Sequence, residues 1–108
     1  MKASNATPTN AELLARISAR VAEFVENERL ARARGTYQVA RARGLGPAQQ
    51  RALTALKERP RTPLQLAHVL GVFDYAALVV SLAGLVTREL VEVADGGLLQ
   101  LKQQQAVA

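Results

Sequence analysis

The helix signals between residues 62 and 74 restrict the fold more than any other feature of this sequence. Thr62-Pro63-Leu64-Gln65 combines a capping threonine, a proline in the first turn and the glutamine of a capping box, which makes it the strongest helix start in the chain. Gly71 ends that helix, and Asp74 caps another one after a turn of three residues. The pattern predicts two helices joined by a tight turn.

A hairpin is predicted directly after this helix pair. Leu78, Leu82 and Leu85 form the apolar stripe of the second helix, which we expect to end near Glu89. Residues 90–94 and 98–101 alternate apolar and polar side chains, and Asp95-Gly96-Gly97 between them is typical of a hairpin turn. The glutamine-rich tail at 103–108 is expected to be frayed.

The N-terminal third predicts one long helix. Thr9-Asn10-Ala11-Glu12 is a capping box, and no helix breaker follows before Gly35, which gives about 25 residues and nearly 40 Å of helix. Its apolar positions step by three, four and three residues, a stripe that we expect a domain of this size not to cover by itself. We therefore expect a homodimer joined through Leu14, Ile17, Val21 and Phe24. The alternative is a helix that breaks near Asn27 and folds back on its own domain.

A further helix is predicted between Gly46-Pro47 and Pro60, because proline is favoured at the first helical position and cannot continue a helix. Leu53 and Leu56, together with Ala52 and Ala55, mark its buried side.

Positive charge is concentrated in the middle of the chain. From residue 29 to residue 61 there are nine basic residues and one acid, Glu58, so this third carries +8 and the remainder carries −3 of the total of +5. The tetrapeptide Arg-Ala-Arg-Gly occurs twice in it, at residues 32–35 and 41–44. Arginine binds phosphate through its planar guanidinium, and nucleic acid is the commonest polyanion that binds such a cluster. The alternative is a solvated helix surface that only aids solubility.

Each Arg-Ala-Arg-Gly is also a helix end by pattern. Glycine after a basic last turn is a common stop, because glycine adopts the left-handed conformation and cations favour the carbonyl end of a helix. A short helix is then predicted over residues 36–43. Tyr37, within it, is expected either to contact a phosphate or to pack between two helices.

The order of helix, helix, tight turn, helix and hairpin resembles the winged helix-turn-helix family, in particular compact bacterial regulators of the MarR or ArsR type. The residues that carry this resemblance lie at 45–56, 62–72 and 85–93, with Asp95-Gly96-Gly97 as the wing turn. The resemblance implies a mainly α fold with a small β-hairpin, a winged helix-turn-helix preceded by a long N-terminal helix. It also implies that the helix after the turn enters the major groove of DNA.

That helix departs from the family pattern on its outer face. With Leu78 placed inward, a periodicity of 100° per residue places Ala76, Val80, Ala83 and Thr87 on the opposite side. Between residues 74 and 87 only Tyr75 and Ser81 offer hydrogen-bonding side chains, whereas reading bases needs several donors and acceptors. We therefore expect little base-specific recognition.

Composition excludes several reaction classes. With no cysteine and one histidine, the chain offers no disulfide, thiolate nucleophile or sulfur-bound zinc. His68 is interpreted as structural, and Glu23, Glu26 and Glu28 are expected to pair with Arg20, Arg29 and Arg32 rather than to form an acid–base pair. We expect a non-enzyme without catalytic residues, cofactor or metal, located in the cytoplasm and without a membrane partner.

Two functions remain open. The first is a homodimer that binds double-stranded DNA mainly through its backbone, as a transcriptional regulator or DNA-organising factor. Its predicted contacts are Arg32, Arg34, Tyr37, Arg41, Arg43, Arg59, Arg61, Tyr75 and Arg88. The second is an adaptor that docks a protein through Val79, Val80 and Ala83. The predicted organisation is a disordered start (1–8), an Arg-rich helical segment (9–44), a winged-helix domain (45–102) and the tail.

Overall fold

The computed structural model describes residues 7–35 and 45–102, which form four helices and a two-stranded antiparallel hairpin. The helices are α1 (Asn10–Arg34), α2 (Pro47–Glu58), α3 (Pro63–Leu70) and α4 (Tyr75–Thr87). Strands β1 (Val91–Ala94) and β2 (Leu98–Leu101) are joined by a short turn, Asp95–Gly97. The predicted fold class is confirmed as a mainly α chain with a small hairpin in a winged-helix-like arrangement behind a long helix. The predicted helix at 36–43 and the tail at 103–108 lie outside the described residues.

The helix starts occur where the caps predict them. At α1 the Thr9 hydroxyl accepts from the Glu12 amide at 3.1 Å, and the Glu12 carboxylate accepts from the Thr9 amide at 2.8 Å. Thr62 and Gln65 form the same reciprocal pair at α3. Helix α1 runs unbroken for 25 residues to a left-handed Gly35 with φ of 75°, so the alternative break near Asn27 is wrong.

The core depends on α1 lying across α4. Leu13 and Ile17 of α1 are buried in the same cluster as Leu82 and Leu85 of α4. Helix α4 is apolar on two sides, and its neighbours cover them: α1 packs along it, and α2 contacts it as well. Among the described helices, none is long and apolar enough by itself to cross a bilayer; α3 and α4 meet that test only as a pair bent by 112°.

This packing corrects the expected use of the α1 stripe. Ile17, predicted as a dimer contact, is buried within the protomer, and Leu14, Val21 and Phe24 pack partly against the same core. The domain therefore covers part of the stripe by itself: Ile17 is buried, whereas Leu14, Val21 and Phe24 are half-buried.

Two further contacts fasten the first turns of α1. The side-chain oxygen of Asn10 accepts from the Leu64 amide at 2.9 Å, which ties the start of α1 to the start of α3. At the wing, a Cβ added to Gly97 would lie 3.0 Å from Leu14, and Gly97 has a φ of 77° that favours glycine. The wing turn is therefore seated against α1.

A short strand pairing joins the wing to the helices. Within the hairpin, Val91 pairs with Leu101 and Ala94 with Leu98. On the other side of β2, Arg61 and Leu99 exchange both backbone hydrogen bonds, at 3.0 and 2.7 Å. The segment between α2 and α3 thus adds a third, one-residue strand beside the hairpin, which the sequence analysis did not predict.

We expect Ile17→Ala to lower the free energy of unfolding by about 2–5 kcal/mol, because a fully buried isoleucine leaves a cavity when it is truncated. Ser18→Ala is the matched control on the same helix, at an exposed position, and should change stability by less than about 0.5 kcal/mol. Urea unfolding followed by circular dichroism measures both. Equal effects of the two changes would contradict the placement of α1 in the core.

Candidate nucleic-acid interface

The last turn of α1 presents two of the predicted arginines. Arg32 and Arg34 are both exposed there, immediately before the left-handed Gly35. Gly35 donates its amide to the carbonyls of Ala31 and Arg32, so the first Arg-Ala-Arg-Gly is a helix end, as predicted. Its arginines therefore project from the end of a long helix. Arg41, Arg43 and Tyr37 lie outside the described residues.

Two acids of α1, Glu23 and Glu26, are paired with basic residues of the same helix. Glu26 accepts from Arg29 at 2.6 Å, and Glu23 accepts from Arg20 at 3.1 Å, which confirms the pairing predicted for these two glutamates. The hydrogen bond from Arg29 lowers the pKa of Glu26 below its usual range, and the same bond raises the pKa of Arg29. Both groups are exposed, so the pair adds little stability, but each glutamate is partly neutralised by its own arginine.

Arg61 is not available as a DNA contact, which corrects its prediction. Only 8% of the residue is exposed, and its guanidinium donates to the Ala55 carbonyl at 3.2 Å and to the Glu58 carboxylate at 2.8 Å. Ala55 is in the last turn of α2, where carbonyls lack partners within the helix. Arg61 thus caps the C-terminal end of α2, and its charge favours the negative end of the helix dipole.

Arg51 is used in the same way. Its guanidinium donates at 2.6 Å to the carbonyl of Leu70, the last residue of α3. The sequence analysis counted both Arg51 and Arg61 in the surface charge and missed that each donates to a carbonyl at the end of a helix. For Arg61 the available signal was a cation three residues after Glu58, just beyond a helix end. Nothing in the local sequence identified the partner of Arg51.

Arg59 is exposed just after α2, beside a shallow groove formed by the α2–α3 connection and the outer side of α3. The groove has a volume of about 410 Å³ and is lined by Arg59, Arg61, Leu64, Gln65, His68 and Val69. His68 is exposed on the outer side of α3, so it is not the partly buried structural histidine that the sequence analysis favoured. The groove brings together donor side chains that the sequence did not group.

The outer face of α4 offers little for reading bases. Ala76, Ala77 and Val80 are exposed there, and the Thr87 hydroxyl is used within the helix, where it donates to the Ala83 carbonyl at 2.8 Å. Tyr75 is half-buried against the core, and Arg88 is half-buried at the end of the helix. The expected shortage of base-reading groups on this helix therefore holds for its exposed face.

The adaptor surface is corrected. Val79 and Ala83 are buried because α1 covers that side of α4, and Val80 is the one member of the predicted trio that is exposed. Ala83 was assigned to the face opposite Leu78 on helical periodicity alone, which takes no account of a second helix packing there. A protein partner could not dock on Val79 and Ala83 while α1 is in place.

The wing is acidic at its tip. Asp95 is exposed in the turn, Glu92 accepts from the Gln100 amide at 2.7 Å, and Lys102 at the end of the hairpin pairs with Glu89 at 3.1 Å. In the described part of the chain, no group of three or more His, Cys, Asp or Glu side chains could hold a metal ion.

Comparison with known protein families, with characterised proteins and with solved structures found no match for this chain. The geometry defines a winged-helix-like domain in which a long N-terminal helix, α1, packs across α4.

We expect Arg61→Ala to destabilise the protein by about 1–3 kcal/mol, because it leaves the Ala55 carbonyl without its donor. Arg59→Ala removes the same charge two residues away from an exposed position, so its effect should stay within about 0.5 kcal/mol. Thermal unfolding of the two variants at one pH and salt concentration compares them. A destabilised Arg59 variant beside an unaffected Arg61 variant would contradict these assignments.

Proposed function

We propose that this protein binds double-stranded DNA mainly through the phosphate backbone and with weak sequence selectivity. It would act as a transcriptional regulator or DNA-organising factor rather than as an enzyme. One observation carries the proposal: the segment from residue 29 to residue 61 contains a single acid, and that acid is paired with Arg61. The exposed cations of this segment are thus opposed by no other carboxylate within it.

The positions of these cations support a polyanion as the partner. Arg32 and Arg34 project from the end of α1, while Lys57 and Arg59 are exposed at the end of α2. Surface cations that serve only solubility are usually mixed with acids, as Arg20 and Arg29 of α1 are with Glu23 and Glu26. Binding to phosphate releases condensed counterions from DNA, so several such cations give a useful affinity without any base contact.

The exposed face of α4 supports weak selectivity. Phosphate contacts position a protein on the duplex, whereas sequence is read by side chains that present donors and acceptors to base edges. Ala76, Ala77 and Val80 present none. Cytoplasmic, nucleoid-associated localisation is part of this proposal, as is the resemblance to regulators of the MarR or ArsR type.

A homodimer remains part of the proposal, but with a different contact region. Helix α1 has 25 residues, about 37 Å, and α4 has 13, about 20 Å, so α1 is longer than the helix on which it packs. Val25 is 53% exposed in the second half of α1. We place the contact between two protomers in this second half.

The salt dependence of DNA binding tests the proposed function. We expect the parent to bind random duplex with a log–log salt slope of about −4, and the change of Arg32, Arg34, Arg41 and Arg43 to alanine to flatten it by roughly three units. Fluorescence anisotropy at several salt concentrations measures the slopes.

The matched control removes the same number of cations elsewhere in the chain, at Lys2, Arg16, Arg20 and Lys102. This control should keep most of the parent slope, because net charge alone is not the cause. If both quadruple variants lose affinity equally, the arginine cluster is not the binding element. A parent that does not bind at low salt overturns the proposed function.

Light scattering tests the dimer. We expect the parent at about tens of micromolar to have twice the mass of the chain and Val25→Glu to have the mass of one chain, because a buried unpaired carboxylate opposes association. Unchanged thermal unfolding of dilute Val25→Glu would show that the fold is intact. A monomeric parent overturns the dimer but not the DNA proposal.

A further inference from the structure

We infer that a phosphate group of the DNA backbone binds in the groove formed by the α2–α3 connection and the outer side of α3. This α2–α3 edge, and not the outer face of α4, then contacts the duplex. This inference rests on the proposed function and specifies where the partner is bound. The family resemblance implies the opposite orientation, with the helix after the turn in the major groove. Four observations favour the α2–α3 edge.

The first observation is the donor set. Arg59, Gln65 and His68 line the groove, and no carboxylate lines it in the part of the chain that the structure describes. At about 410 Å³ its volume is within the range of small-ligand sites, and it opens broadly to solvent as a backbone phosphate requires. Side chains that donate hydrogen bonds around an open depression favour phosphate oxygens over cationic or neutral groups.

The second observation is that one of these side chains is held in place. Gln65 uses its amide oxygen to accept from the Thr62 backbone at 2.9 Å, which leaves its NH₂ group as the donor. A group that is fixed before binding loses less conformational entropy when the anion arrives.

The third observation is the arrangement of charge around the groove. Lys57 and Arg59 are exposed together at the end of α2, and the one acid nearby, Glu58, is already paired with Arg61. A duplex presents phosphates in a row, so cations beside the groove can contact neighbouring phosphates.

The fourth observation is what the alternative edge presents. The outer face of α4 exposes Ala76, Ala77 and Val80, and the wing adds Glu92 and Asp95. Like charges facing phosphate are unfavourable, and alanine side chains supply no compensating hydrogen bond. The electrostatic field therefore favours an approach by the α2–α3 edge.

The binding experiment compares Arg59→Ala with Lys102→Ala, two changes of equal charge on the two competing edges. Affinity for random duplex is measured by anisotropy at two salt concentrations. We expect Arg59→Ala to weaken binding about tenfold at low salt and to flatten the salt slope by about one unit. Lys102→Ala should match the parent. A loss confined to Lys102→Ala, or an unchanged Arg59→Ala, overturns the inference.

A second measurement uses the one histidine in the sequence as a reporter. His68 lines the groove, so its imidazole proton resonances should move when duplex DNA is added in a phosphate-free buffer. Inorganic phosphate at the same total phosphate concentration should leave them in place. An equal response to both assigns the groove to free phosphate and overturns the DNA placement. If anisotropy shows that DNA is bound and the imidazole resonances still do not move, the DNA placement is overturned as well.

The outcomes separate this inference from the proposed function. A parent that fails to bind duplex at low salt overturns both. A parent that binds with a normal slope, while the histidine resonances and the Arg59→Ala affinity do not change, overturns the groove alone.

Discussion

The packing of α1 across α4 is the contact on which the rest of the structure depends. Helix α4 is apolar on two sides, and a helix of this kind is stable in water only when both are covered. Helix α2 contributes to this coverage, and Leu13 and Ile17 of α1 are buried in the same core cluster as the buried residues of α4. The same packing removes Val79 and Ala83 from the surface, so the loss of the adaptor face and the stability of the core have one cause.

Arginine has two separate roles in this chain. Arg51 and Arg61 donate to carbonyls at the ends of α3 and α2, where helix geometry leaves acceptors unpaired. Arg61 is buried, whereas Arg51 remains exposed apart from this bond, and Arg32, Arg34 and Arg59 are exposed. A count of basic residues cannot separate the two groups, since both raise the net charge. The distinction matters because the capping arginines stabilise the fold and are less able to reach an external anion.

The elements were predictable because their signals are local. Thr9 with Glu12, Thr62 with Gln65, and the glycines of the wing turn act within four residues of themselves, so the sequence contains the whole interaction. The burial of Ile17 and Ala83 was not predictable in this way, because each depends on a helix more than 50 residues away in the sequence. The groove residues were missed for a different reason. They lie close together in sequence, between residues 59 and 69, but which of them share a surface depends on the path of the α2–α3 connection beside α3.

The pairing of Arg61 with Leu99 has a consequence for how the chain folds. These residues are separated by 38 positions, and each provides both backbone partners of the other. A two-stranded hairpin alone is marginally stable in water, so β1 and β2 are stabilised by their pairing with a segment of the helical half. We therefore expect the hairpin to form late in folding, after α2 and α3 have assembled and positioned the backbone of Arg61.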